Sequence, residues 1–216
     1  MRDCPICGSN GKRVVMNDYG GEGVRLGLFA CADCGHRYLD ADVSQAWFDE
    51  YYAHRYITDV SMFGAARWET LAEYIASYEP IEVLDIGGLD GELAERIRAH
   101  GIYCRVAGVQ TEVMGKFDAV VLSHTLEHVY DLPGMMAYIK DKLKAKGLLF
   151  VEGPVHLAYV DPMAYDPYWQ HINKFRPEDM DALFKRYGLD ILESERLDDY
   201  QEYHCWRTVG QYANSG

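Results

Sequence analysis

Residues 81–99 read Ile81-Glu82-Val83-Leu84-Asp85-Ile86-Gly87-Gly88-Leu89-Asp90-Gly91-Glu92-Leu93-Ala94-Glu95-Arg96-Ile97-Arg98-Ala99. The apolar run after Pro80 has the length of a buried strand, and Gly87, Gly88 and Gly91 mark a tight turn. From Glu92 to Ala99 the residues favour a helix. Strand, glycine turn, helix is the opening of a Rossmann-type α/β unit, the context in which a nucleotide-binding glycine turn sits. The Walker lysine is absent and the glycine spacing differs from the dinucleotide fingerprint, so neither a P-loop nor a nicotinamide site is expected. The plain alternative is a turn that serves only helix–strand packing.

Downstream, the pattern predicts strands at Ile102–Val109 and Ala119–Leu122. A helix over Pro133–Leu143 should lead through Gly147 into a strand at Leu148–Glu152. A further helix, Pro177–Tyr187 closed by Gly188, and strands near Leu189–Glu193 and Cys205–Val209 complete an alternating α/β order. About 27 positions separate Gly91 from Asp118, too few for two full βα units, so the sheet should be abbreviated at its third strand. Residues 154–175 are rich in Pro, Tyr, Trp and His without periodicity, and a loop of that length predicts a lid over a site.

Upstream, Cys4-Pro5-Ile6-Cys7-Gly8 and Cys31-Ala32-Asp33-Cys34-Gly35 are two C-x₂-C-G knuckles. Each brings two thiolates to one side of a tight turn, and together they supply a tetrahedral four-cysteine site for zinc. An iron site of rubredoxin type uses similar knuckles. The first 40 residues are Gly-rich and core-poor, and a small segment of that kind needs a staple. Cys104 and Cys205 read as ordinary core residues. The organisation expected is a zinc-ribbon segment at 1–43, a helical bridge at 44–79 and an α/β domain at 80–216. In the bridge, Trp47, Phe48 and Tyr51 form one stripe and Trp68, Leu71, Ala72 and Ile75 another.

Acidic residues outnumber basic ones by 34 to 21 over 216 residues, a balance that repels a nucleic-acid backbone in the absence of a basic patch. Lys140, Lys142, Lys144 and Lys146 read as a solvated face late in a helix. No secretory signal or membrane-length apolar run is visible, which makes the cytoplasm the expected location. In that reducing compartment, cysteines serve as metal ligands or buried thiols more often than as disulfides.

The turn Asp85-Ile86-Gly87-Gly88-Leu89-Asp90-Gly91 resembles the first motif of class I S-adenosylmethionine-dependent methyltransferases. Phe117 to Val129 is similar to their fourth-strand motif, and Leu143 to Glu152 to their strand-five motif. The whole chain is similar to the small-molecule branch of zinc-binding deoxysugar C-methyltransferases. The second cysteine pair precedes Tyr51 and Tyr52, and Tyr168-Trp169-Gln170-His171 resembles that branch's tyrosine-x-glutamate-histidine segment with Gln in place of Glu. The branch's additional C-terminal domain is absent from this sequence.

The resemblance implies a Rossmann-like class I methyltransferase sheet with a small N-terminal zinc ribbon, S-adenosylmethionine and zinc as cofactors, and a small-molecule acceptor such as a sugar nucleotide. Cofactor contacts fall on Asp85, Gly87, Gly88, Gly91, Ser123 and His124. They also fall on Gln110, where the family usually has an acid for the ribose, with Glu112 nearby. The candidates for proton handling are His171, paired with Tyr168 three residues earlier, and His128, which would begin a helical stretch. Histidine suits the task because its ordinary pKa lies near 6.5. The spacing of these histidines with carboxylates does not suggest a metal site. The other reading kept open is a degenerate methyltransferase fold that binds a different ligand or a partner.

Overall fold

The computed structural model describes residues 2–19, 26–40, 46–47, 50, 64–88, 91–109, 111–155, 170–197 and 205–212. Two sheets organise them. The smaller is built from β1 (Lys12–Tyr19), β2 (Leu26–Cys31), β3 (Arg37–Asp40) and the short β8 (Asn173–Lys174), in the order β1-β2-β3-β8. The larger contains β4 (Glu82–Ile86), β5 (Tyr103–Ala107), β6 (Phe117–Ser123), β7 (Leu143–Pro154), β9 (Leu189–Leu197) and β10 (Cys205–Tyr212), in the order β5-β4-β6-β7-β10-β9. Strands β5, β4, β6 and β7 run parallel, and β10 is antiparallel to both its neighbours.

The central parallel strands β4 and β6 are buried on both faces over most of their length, as a sheet covered by helices on each side requires. Because side chains alternate along a strand, Val83, Ala119, Val121 and Phe150 face α1 (Gly64–Ala76) and α2 (Glu92–Ala99), packing on Leu71, Ala72, Ile75, Leu93 and Ile97. Leu84, Ile86, Val120, Leu122, Leu149 and Val151 face the other way, toward α3 (Leu132–Lys142) and α4 (Pro177–Arg186). The α1 stripe read from the sequence is therefore a core face. Between β5 and β6 the described residues form no strand or helix, and β5 is an edge of the sheet. The abbreviation expected from the spacing is present.

Local chemistry sets the element ends. Helix α2 begins at Gly91, whose φ of 76° places it in the left-handed region that glycine enters without a Cβ penalty. Asp131 caps α3 by accepting from the Gly134 N–H at 3.0 Å, so the helix starts at Leu132, one residue earlier than the proline alone suggested. Helix α4 starts at Pro177 and is closed by Gly188 at φ 78°. Gly147 is not the cap of α3. Strand β7 starts directly at Leu143, and Gly147 sits in the irregular register between the Phe117–Leu143 and Ala119–Leu148 pairs, after Lys146 at φ 61°. The lysines expected on one helix face divide accordingly: Lys144 lies in β7 and bridges Glu82 and Asp118 at 2.7 and 3.0 Å.

The first 40 residues do not stand apart. Strand β3 pairs with β8 through Arg37–Lys174 and Tyr38–Asn173, and the Leu39 N–H donates to the Ile172 carbonyl at 2.8 Å. Arg2 donates to the carbonyls of Leu39 and Tyr130 and lies over the rings of Tyr38 and Tyr130. The proposed bridge is described chiefly at α1. Most of residues 154–175, the stretch read as a lid, lies outside the described residues, as do Phe48, Tyr51 and Tyr52.

Candidate active site and cysteine cluster

The four knuckle cysteines converge. Cys4 Sγ is 3.6 Å from Cys34 Sγ, Cys7 Sγ is 3.5 Å from Cys31 Sγ, and all four sulfurs lie within 4.8 Å of one another. Zinc–sulfur bonds of about 2.3 Å at tetrahedral angles put sulfurs roughly 3.8 Å apart, so the donor set fits a zinc ion. Each knuckle closes on a glycine in the left-handed region, Gly8 at φ 79° and Gly35 at φ 77°, whose N–H groups donate to the carbonyls of Cys4 and Cys31. Helix α4 clasps both turns: Arg186 donates to the carbonyls of Pro5 and Ile6, and Arg176 to that of Cys34. Nothing in the local sequence of α4 signalled those contacts, which join residues some 140 to 180 positions apart.

The second site lies at the carboxyl ends of β4, β6 and β7, where open α/β sheets bind ligands. Three glycines make the turn after β4, and the structure gives them different tasks. A Cβ on Gly87, at φ 88°, would fall 2.3 Å from Thr125 Oγ1, and one on Gly88 would fall 2.1 Å from Asp85 Oδ2. Both are therefore required by packing within the protein, with the buried Asp85 side chain beneath the turn. Gly91 is the open one, because none of the described residues lies within 4 Å of the position its Cβ would occupy. Gln110 lies outside the described residues. After β5, Val109 and Glu112 face Val129, Met135 and Tyr138 around a groove of about 350 Å³.

At the end of β6, Ser123 and His124 lead into a 3₁₀ turn, Leu126–His128. His128 ends that turn and does not begin a helix. His124 adopts a φ of 49°, a conformation unusual for a residue with a Cβ and concentrated at functional sites. Burial, then the nearby Arg67 and His128, hold its imidazole well below the ordinary range, so the ring is neutral. Its Nε2 lies 3.6 Å from Cys205 Sγ, so Cys205 has a polar contact beyond the core packing expected of it.

Four buried charged side chains, Glu152, Arg67, Arg207 and Glu127, escaped the sequence reading. Glu152 at the end of β7 accepts from Arg67 at 2.9 and 3.1 Å on one oxygen and from Arg207 at 2.9 and 3.2 Å on the other. Arg67 also donates to Ser123 Oγ at 2.7 Å, which ties α1 to the sheet edge. An acidic residue closing a buried strand was the available signal. Glu127 is 1% exposed and lies against Gly153, where a Cβ would be 3.3 Å from its Oε2. Burial pushes its carboxyl up to about 8. His128 and His171 meet edge to face with centroids 5.0 Å apart. Tyr168, the expected companion of His171, lies outside the described residues.

A family described as a methyltransferase domain matches residues 52–194. No match is found among curated proteins. Among solved structures, the chain is similar to the 1,6-didemethyltoxoflavin N1-methyltransferase of Burkholderia thailandensis, bound to S-adenosylhomocysteine. The TM-score is 0.60 at 14% identity, covering 85% of this chain and 98% of that one. The N-methyltransferase NodS of Bradyrhizobium japonicum, also bound to S-adenosylhomocysteine, gives 0.54 at 15% identity, over 80% and 98%. The [4+2]-cyclase SpnF gives 0.53 at 13% identity, over 68% and 82%. At these identities the likeness is one of fold, and a fold can host several reactions.

Proposed function

The chain belongs to the methyltransferase-domain family, and on that premise we propose that it transfers a methyl group from S-adenosylmethionine to a small polar acceptor such as a sugar nucleotide or another biosynthetic intermediate. The observation that carries this is the turn after β4: Gly91, left-handed and open, lies on the same sheet edge as Ser123 and His124. Asp85 fixes the turn from below, while Gly91 leaves room for the methionine end of the cofactor. The groove beside Glu112 and Val109 suits the adenosine end, and Gln110 is the candidate partner of the ribose. Two of the similar structures were solved with S-adenosylhomocysteine, which agrees with this use of the edge.

Bound S-adenosylmethionine supplies a methyl group on a sulfonium, already an activated leaving group. The protein's part is then to position the acceptor and manage one proton. His171, assisted by Tyr168, takes or relays that proton. His128 stands beside it with its ring turned by the Gln170 carbonyl, 2.9 Å from Nδ1. The cysteine cluster binds zinc and has a structural role, because four thiolates leave no open coordination position.

The finer reading, membership in the zinc-binding C-methyltransferase branch, is supported by the cysteine knuckles and the Tyr168-to-His171 segment. The [4+2]-cyclase favours the second reading, a methyltransferase fold with a different ligand. Mass spectrometry of small molecules released from the purified, denatured protein separates the two. Retained S-adenosylmethionine or S-adenosylhomocysteine supports methyl transfer, whereas failure to bind either, even when added at millimolar concentration, overturns it.

A further inference from the structure

We propose that Glu127, His128 and His171 hold a divalent metal ion at the sheet edge, in a second metal site separate from the cysteine cluster. Each residue offers a ligand atom, and the three atoms lie within 4.8 Å of one another. The tautomer of His128 is set by its neighbour. The Gln170 carbonyl can only accept a hydrogen bond, so Nδ1 at 2.9 Å carries the proton, and in the neutral ring Nε2 keeps its lone pair. That arrangement is the usual support for a metal-binding histidine.

Nε2 lies 3.8 Å from Glu127 Oε1, too far for a hydrogen bond. Oε1 is fully buried and receives no hydrogen bond from the described residues. The other imidazole near it, that of His124, has its Nδ1 at 3.6 Å, also beyond hydrogen-bond reach. Arg67 directs its Nε and Nη2 to Glu152 Oε1 and Ser123 Oγ, and acts on Glu127 only through space. Glu127 Oε1, buried and without a hydrogen bond from the described residues, thus converges with the His128 imidazole. Leaving that oxygen unmet is costly, and an ion between the two groups would meet it. Bonds of about 2.0–2.2 Å to one ion put two ligands roughly 3.4 Å apart at tetrahedral angles, so only small closing movements are needed.

Two imidazoles and one carboxylate suit zinc, iron or manganese and leave coordination positions open, unlike the cysteine site. This inference rests on the methyltransferase reading for its role and not for its ion. A hydroxyl of the acceptor taking an open position becomes more acidic. Its O–H bond breaks, the proton leaves to solvent and the electron pair stays on oxygen. In this metal-loaded form His171 is a ligand and the direct proton acceptor is water.

The test uses the full chain with its cysteine site saturated by zinc, titrated with cobalt(II) and followed by visible absorption and calorimetry. The expected result is one further ion per chain with weak d–d bands and no thiolate-to-cobalt charge transfer. Its affinity should fall at least about tenfold in both Glu127→Gln and His171→Ala. Should Glu127→Gln fail to fold, His171→Ala decides, since that ring lies at the partly exposed end of the cluster. Absence of a second ion, or equal affinity in a folded variant, overturns the proposal and leaves His171 as the direct base. Calorimetry with S-adenosylhomocysteine on the same samples separates the readings: ion binding without it upholds the metal site and sinks its catalytic role.

Discussion

His36 Nδ1 lies 3.1 Å from Asp179 Oδ2, joining the second cysteine knuckle to the first turn of α4. Both residues are buried. Burial pushes the Asp179 carboxyl up, but hydrogen bonds from His36 and Arg176 outweigh it and hold the group below its ordinary value. A carboxyl depressed in the folded state contributes stability that is fully present above its unfolded pKa of about 3.9 and is lost as pH falls below it. Asp179→Asn should therefore lower stability at neutral pH by about 1–3 kcal/mol and flatten the acid limb of the stability curve below about pH 4. Urea unfolding from pH 7 to pH 3 checks both parts, and an unchanged acid limb counts against the assignment.

Removing the zinc should loosen more than the first 40 residues. Metal binding contributes on the order of 10 kcal/mol to such segments, and here the knuckles are held by Arg176 and Arg186 of α4. Cys31→Ser is expected to abolish stoichiometric zinc and to raise hydrogen exchange in β1 to β3, in β8 and at the ends of α4. Elemental analysis that finds no zinc in the wild type removes the premise. Exchange confined to residues 2–40 would mean that the contacts with α4 carry no coupling.

The glycine turn predicts a contrast. Gly87→Ala places a Cβ against Thr125 in a left-handed conformation and should destabilise the fold by about 1–3 kcal/mol. Gly91→Asn keeps a residue that tolerates that conformation and meets none of the described residues at its Cβ, so the fold should survive. Its side chain should instead lower affinity for S-adenosylhomocysteine by at least about tenfold, or about 1.4 kcal/mol. Paired thermal melts and calorimetry decide the matter, and loss of affinity at Gly91 with equal loss of stability would contradict it.

Glu152 lies between two guanidiniums at a dry sheet edge. Breaking a buried ion pair by removing one partner typically costs about 3–5 kcal/mol, because the remaining charges stay buried without compensation. Glu152→Gln should fall in that range by denaturant unfolding. A cost below about 1 kcal/mol would indicate that water reaches Arg67 and Arg207.

Once an acceptor is known, His171→Ala should reduce turnover by about 10² to 10⁴ while leaving affinity for S-adenosylhomocysteine within a few fold. Turnover within about threefold of wild type, judged against the usual effect of losing a general base, would move proton handling to another residue, His128 being next.

The sequence by itself determined the parts whose signals are local. Buried strands announce themselves as apolar runs, glycines as turns, paired cysteines as knuckles, and a short interval between Gly91 and Asp118 as a missing unit. Each depends on residues adjacent in the chain, so periodicity and spacing suffice. The tertiary structure alone decided which polar groups are buried together. Glu127 meets His171 across 44 positions, Glu152 meets Arg67 across 85, and His36 meets Asp179 across 143. A charged residue in a sequence looks like a solvated one until packing removes its water. Only the crossing of β6, β7, α1 and α4 in space makes those side chains one another's solvent.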